Sequence, residues 1–417
     1  MKAIIHSSML VHRAAIGAAL LVALGLRLLA LAAASGRVPF GDPLHYLYMA
    51  HSVLAGKGLV VVQGTVSPFV SRALFPPVYP LLLAAVGTIL PLTSSTIAFV
   101  NSLIDVGAAL LLYRFAELIG SPKVALPAAL AYLCWPSLAL AAPLANKEGL
   151  ALFLLLGAVV AFLERAAGGG RRWIVLCGLS AGLMVLTQPA LAPVLPILFL
   201  LLVGRFRDRR AWLVASFGAA FCAMFVFLPW WIRNYLLLDA FVPLTTSNGY
   251  ALWVGAQPSG GFKWQPYPDA WLAKSEVDLS RTAAMDALQI ILDDPWSYLY
   301  RCLVKLPASF LRPNLAVLNL AYMEPPPWPR LLRSKVVLLI PMLIELVPVS
   351  LALAGLVTLR RSLPARMLLG CIAASLLFGI WFEFGERHRQ YMTPFVLLLA
   401  VMVVADLRRS LGGRPLP

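Results

Sequence analysis

Residues 77–91 read PVYPLLLAAVGTILP, and whether this run crosses a membrane decides the topology of the whole chain. A helix needs about 20 mostly apolar residues to traverse a bilayer core. This run has 15, with proline at both ends and again at Pro80. An extra crossing here would invert the side on which every later loop lies.

Charge settles the question. If residues 77–91 stay at the surface or dip in and return, one set of loops holds Arg114, Lys123, Arg165, Arg171, Arg172, Arg205, Arg207, Arg209, Arg210, Arg360, Arg361 and Arg366. The tail with Arg408, Arg409 and Arg414 falls on that same side, and the opposite short loops keep only Lys147, Arg387 and Arg389. Basic residues concentrate in cytoplasmic loops, so the bias predicts a non-crossing segment, with both termini cytoplasmic. The expected spans are residues 14–34, 95–114, 124–140, 149–164, 173–187, 190–203, 211–230, 335–357, 366–382 and 391–406. Residues 14–34 superficially resemble a signal peptide, but their length and the spans that follow favour an uncleaved first helix.

Composition agrees. Of 417 residues, 61% are hydrophobic and 12% charged, which predicts an all-α polytopic membrane protein, residues 1–417 forming a single transmembrane domain of about 10 helices. The net charge of +16 lies in short clusters between apolar runs rather than on a soluble basic face, so nucleic acid is not an expected partner. The five cysteines have no paired spacing and four lie in apolar runs, giving neither a disulfide framework nor a zinc site. The glycines at 168–170 follow no strand, so no nucleotide loop is expected.

Two long segments then face outward: residues 35–94, the expected active-site loop with its own juxtamembrane helices, and residues 231–334, with helices near 281–294 and 296–311 lying at the headgroups. In the first, Asp42 precedes Pro43, a good helix start, so its carboxylate is either an N-cap or a general base toward a hydroxyl. His45 and Tyr46 follow on the same helical face; His45 near an Asp invites a metal reading, and an interfacial polar role is the plainer one. Glu148, in Asn146-Lys147-Glu148, either completes a helix N-terminus or acts as a second outer carboxylate across from Asp42. The sequence fixes no cofactor, and a divalent cation at Asp42 and Glu148 is the one candidate. Arg233, Arg387 and Arg389 lie on the outer side against the charge bias. Arginine binds phosphate bidentately, so they either hold a lipid phosphate or snorkel to bulk headgroups.

The order of these features resembles the polytopic GT-C glycosyltransferases. It is nearest to the family 39 group, which includes the protein O-mannosyltransferases and the lipid A aminoarabinose transferases. The resemblance rests on Asp42 with Tyr46, on Arg72 with the corner Pro77-Val78-Tyr79-Pro80, and on Pro229-Trp230-Trp231-Ile232-Arg233-Asn234-Tyr235. It continues through Phe241-Val242-Pro243-Leu244, Gly249-Tyr250 and Gly255 to His388-Arg389-Gln390-Tyr391-Met392-Thr393-Pro394. One departure is Pro43, where the family often carries a second acid.

The resemblance implies a hexosyl- or pentosyltransferase of the cell inner membrane. Its donor would be a sugar on a polyprenyl phosphate, and its acceptor a hydroxyl on a lipid, glycan or protein at the outer face, with inversion at the anomeric carbon. Asp42 would be the base; Arg389, Arg233 and Arg72 would hold the donor phosphate. His45, Tyr46, Tyr79, Asn234, His388 and Tyr391 would line the substrate. The rival classes are a transporter or flippase of lipid-linked glycans and a non-catalytic assembly partner. Transporters place polar groups at midplane on interrupted helices, whereas here they gather at one face.

Overall fold

The structure is a computed structural model describing residues 2–61, 70–259, 265–312, 315–323 and 335–412. The parts of the two outer segments at 62–69, 260–264 and 324–334, and Arg414 in the tail, lie outside the described residues. Among the described residues the chain is helical, with no strand and one isolated bridge between Val61 and Ser71.

Among the described residues, six helices are long and apolar enough to cross a membrane. They are α1 (Lys2–Ala34, apolar from Arg13), α4 (Ser94–Leu118), α7 (Glu148–Ala166), α10 (Arg209–Leu238), α15 (Lys335–Thr358, apolar from Leu339) and α17 (Thr393–Gly412) with the 3-10 turn Glu386–Met392 that leads into it. Shorter apolar helices fill the remaining expected spans: α5 (Pro122–Leu133) continued by α6 (Pro136–Ala139), α8 (Arg172–Val185), α9 (Val194–Leu201) and α16 (Leu363–Ala374) with its π-helical end Ser375–Gly379. The expected span at 124–140 is thus broken before Pro136, because proline disfavours helical geometry in the residue ahead of it.

The deciding stretch forms α3 (Val78–Gly87), 10 residues long. At 1.5 Å per residue it measures about 15 Å, roughly half a bilayer core. With α2 (Asp42–Leu54) it makes the pair of helices expected in the first outer segment, and the two pack together. The second outer segment holds α11 (Ser247–Ala256), α12 (Glu276–Asp293), α13 (Pro295–Phe310) and α14 (Leu315–Tyr322). Ser275 caps α12 and Asp294 caps α13, each accepting a backbone N–H from three residues on, which is why one amphipathic run breaks in two at Asp294. The boundary at residue 231 moves: α10 runs on through Pro229 to Leu238 and ends at Asp239, in the left-handed region at φ 49.

Burial orders the bundle. The 18-residue apolar windows of α7 and of 386–410 are each 67% buried, against 11% for α1 and 17% for α10; the first two are central and the others present Leu and Phe to lipid. Helix α7 packs against α4 and α8, and α8 against α10. The last contact is close because a Cβ at Gly178 would fall on the carbonyl oxygen of Ala219, the small-residue packing by which helices associate without hydrophobic drive in lipid. At one end of the bundle Arg114 donates to Glu164 (2.7 Å) and Arg205 to the Leu118 carbonyl (2.6 Å). At the other end lie α2, α3 and the starts of α4 and α7.

Candidate active site

Gly41 precedes α2 with φ 69, a backbone region that glycine enters without strain. It turns the chain so that Asp42 becomes the first helical residue and Pro43 the second. The expected Asp42 cap is not formed: no side chain caps this helix. The carboxylate turns instead to the far end of the sequence, where its Oδ2 accepts from Arg387 Nη1 at 2.5 Å. Arg387 Nη2 also donates to Glu383 Oε1 at 3.2 Å, and all three side chains are about a fifth exposed.

Lys147 completes the cationic side. It is buried, with its ammonium 5.5 Å from the centre of the Tyr46 ring. Burial raises the Asp42 pKa, but Arg387, Lys147 and His45 lower it by more, so its carboxyl sits below the ordinary range. Burial draws the Lys147 ammonium down against the pull of Asp42 and Glu148, and draws His45 down against Asp42.

Among the described residues several polar atoms here have no hydrogen-bond partner: Tyr46 Oη, His45 Nδ1 and Glu148 Oε2. Tyr46 and His45 are held by rings instead. Phe75 lies 5.6 Å from His45, stacked, and 5.5 Å from Tyr46, edge-on, while Tyr79 meets Tyr46 at 5.7 Å. Glu148 opens α7, whose N-cap residue is Lys147, with no side-chain cap hydrogen bond. Unpaired buried polar groups cost stability, and their nearness to Asp42 makes this cluster the candidate site.

The other expected residues are spent elsewhere. Arg389, expected opposite Asp42, is buried and reaches Glu345 Oε2 at 3.4 Å, with its guanidinium 4.8 Å from the Phe310 ring centre. Glu345 in turn accepts from the Ser137 backbone N–H (2.8 Å) and hydroxyl. Arg233 donates to the carbonyls of Arg72 (2.8 Å) and Leu59 (3.1 Å) and lies over Trp230. Asn234 is fully buried between Arg233 and the Val242 carbonyl. The Arg72 side chain is exposed while its backbone is bound. Tyr79 donates to Asn101 (3.0 Å), Tyr391 pairs with Ser375 (2.6 Å), and His388 Nδ1 accepts from the Gly385 N–H (3.0 Å). Of the expected set, Asp42, His45, Tyr46 and Glu148 gather; Arg389, Arg233, Asn234 and Tyr391 serve packing.

The Asp42 and Glu148 pair does not fit a divalent cation held by protein ligands. One oxygen of Asp42 is committed to Arg387, two cationic side chains stand beside the carboxylates, and among the described residues no three His, Cys, Asp or Glu converge. Six or more oxygen ligands are usual for such ions.

Sequence reasoning gave Lys147 no role and offered Arg387 only as one of three outer arginines able to hold a phosphate, with the resemblance naming Arg389. The only signal for Lys147 was its occurrence beside Glu148 on the side where positive charge is scarce.

The apolar helices make this a polytopic helical membrane protein, and its fold is similar to that of solved membrane-enzyme structures. Within it, residues 75–232 match the family described as dolichyl-phosphate-mannose-protein mannosyltransferase, as the sequence resemblance anticipated. The matched segment includes Lys147 and Glu148 and stops short of Asp42, Arg233 and Arg387. The crystal structure of the Archaeoglobus fulgidus oligosaccharyltransferase in the apo form is similar, with a TM-score of 0.55 at 16% identity over 97% of this chain and 52% of that one. The same enzyme in complex with Zn and sulfate gives 0.53 at 15% identity, over 94% and 50%. ArnT from Cupriavidus metallidurans bound to undecaprenyl phosphate gives 0.46 at 14%, over 96% and 81%. The chain therefore spans about half the length of the Archaeoglobus enzyme. No curated protein sequence matches it.

Proposed function

We propose that this chain transfers a sugar from a polyprenyl-phosphate donor to an acceptor hydroxyl at the extracytoplasmic face of the cell membrane, with inversion. The acceptor O–H gives its proton to Asp42 as its oxygen bonds to the anomeric carbon, and the bond from that carbon to the phosphate oxygen breaks. The polyprenyl phosphate leaves with the electron pair. Arg387 and Lys147 face the charge that develops on it, in place of the Arg389, Arg233 and Arg72 that the resemblance implied; in a site poor in water such fixed charges act strongly. The family segment and the fold support glycosyl transfer, and the arginines at the opposite end of the bundle support an outward-facing site with both termini cytoplasmic.

The observation that carries the reading is the ion pair between Asp42 and Arg387, flanked by a buried lysine and, among the described residues, the unpaired atoms Tyr46 Oη and Glu148 Oε2. A transporter needs no base held ionised at one face. The test is transfer from a panel of labelled polyprenyl-phosphate sugars by the purified protein in detergent, where no compartments exist. Asp42→Asn should fold and lose transfer by about 10²- to 10⁴-fold, the span of general-base contributions; activity near the parent's would remove Asp42 from the reaction.

A further inference from the structure

Residues 71–73 are bound from both sides. Glu276, in the first turn of α12 and buried, accepts from the Arg72 N–H through Oε2 (2.7 Å) and from the Ala73 N–H through Oε1 (2.8 Å). Oε1 also accepts from the Thr246 hydroxyl (2.6 Å), while the Thr246 N–H donates to the Ala73 carbonyl (2.9 Å). From α10, Arg233 donates to the Arg72 carbonyl and to the Leu59 carbonyl, and Ser71 pairs with Val61 in both directions. Every backbone polar group of Arg72 and Ala73 is thereby engaged by a side chain or backbone of the second outer segment or of α10.

Two features make this a rigid fixture. Charged partners give stronger hydrogen bonds than neutral ones, and both the carboxylate and the guanidinium are fixed by other contacts: Glu276 by Thr246, Arg233 by Asn234 and the Trp230 ring. Helix α12 is itself pressed against α11, since a Cβ at Gly249 would collide with the Ser280 carbonyl. Two residues beyond Ala73, Phe75 stacks on His45 and meets Tyr46, the aromatic wall beside Asp42.

We propose that Glu276 and Arg233 are positioning residues: they clamp the Arg72–Ala73 backbone so that Phe75 orients His45 and Tyr46 at the acceptor-activating site. Their charges are spent on the chain, and neither touches substrate. The second part of this inference rests on the transfer reading above; the clamp does not.

The test uses the full-length protein in detergent. Glu276→Gln keeps the side chain's shape and exchanges one acceptor oxygen for an NH₂ that faces a backbone N–H. Hydrogen exchange across residues 70–77 should then quicken by about tenfold or more at the Arg72 and Ala73 amides, with the transmembrane helices unchanged. With the sugar donor found active in the panel, kcat should fall by about tenfold or more while KM for the donor stays within about twofold, and Glu276→Asp should recover part of the loss. Arg233→Gln should show the same split. Unchanged exchange at Arg72 and Ala73 overturns the clamp; quickened exchange with unchanged kcat overturns its positioning role, and a rise in donor KM alone returns Arg233 to phosphate binding. If Glu276→Gln does not fold, Thr246→Val removes one bond to the carboxylate and should quicken the same amides by about threefold. A parent that transfers sugar from no donor defeats the function proposed above, and the exchange result still decides the clamp.

Discussion

Asp42 Oδ2 and Arg387 Nη1 meet at 2.5 Å although 345 positions separate the two residues. The contact joins the start of α2 to the turn before α17, so the segment holding α2 and the last hairpin are tied together. It also changes what each charge does. A carboxylate so placed against a guanidinium and a buried ammonium is held toward its ionised form.

The pH dependence follows from that pairing. Burial raises the Asp42 pKa and the cations more than reverse it, so the folded value is depressed. A depressed carboxylate contributes stability that is fully present above its unfolded pKa of about 3.9 and is lost as pH falls through the folded value. Arg387→Gln removes the strongest opposing charge, so the folded value of Asp42 moves up. Two results are expected: the acid limb of the pH–rate profile shifts to higher pH than in the parent, and the stability difference between parent and variant is largest near neutrality and shrinks on acidification. Thermal unfolding from pH 3 to pH 7 checks the second without any substrate. An acid limb that stays in place would show that Arg387 does not govern Asp42.

The fold was legible in large part because periodicity and charge are strong signals in a membrane chain. The shortness of residues 77–91, the Arg-rich loops and the helices in both outer segments all follow from local composition. What stayed hidden was pairing across the chain. Asp42 followed by Pro43 reads as a cap at short range, and only the far end of the chain supplies Arg387 as a competing partner. Likewise Arg387 and Arg389 sit two residues apart in a 3-10 turn, and nothing local says that the first reaches Asp42 while the second is drawn to Glu345 on α15. Glu276 lies ahead of the amphipathic run expected at 281–294, and the backbone N–H groups it binds carry no sequence signature.

Arg389 and Glu345 give a stability prediction. Both are buried, at 6% and 2% side-chain exposure, and Glu345 also holds Ser137. Removing one partner of a buried pair leaves a charge without compensation, costing about 3–5 kcal/mol, whereas replacing both with apolar groups is often close to neutral. Arg389→Met and Glu345→Leu should each lower the melting temperature in detergent, and the double variant should melt above either single one. Additive losses in the double-variant cycle would mean the two side chains do not act as a pair.

Gly178 tests the packing of α8 on α10. A Cβ there falls on the Ala219 carbonyl, which belongs to helix backbone and cannot swing aside. Gly178→Val should destabilise the protein by about 1–3 kcal/mol through forced separation of the helices, read as earlier thermal unfolding. A Gly170→Val control, at a position with open space around its Cβ, should change melting much less. Equal effects at the two positions would remove close helix approach as the cause.

Lys147 is the sharpest test of the phosphate assignment, because it is buried beside Asp42 and Glu148 with its ammonium near the Tyr46 ring. A buried ammonium is costly unless its charge is used. Lys147→Met keeps the length and apolar stem and removes only the charge, so the fold should hold. If Lys147 faces the charge that grows on the leaving phosphate, the loss falls on the transition state more than on the bound donor. A decrease in kcat of about 10²- to 10³-fold is then expected, the scale seen when one preorganised donor to a developing oxyanion is removed, with donor KM changed much less. Lys147→Arg should retain part of the activity, since it restores the charge with a bulkier head. A variant that binds and turns over donor like the parent would leave Arg387 as the sole cation of the site and would make the lysine a partner of the Tyr46 ring alone.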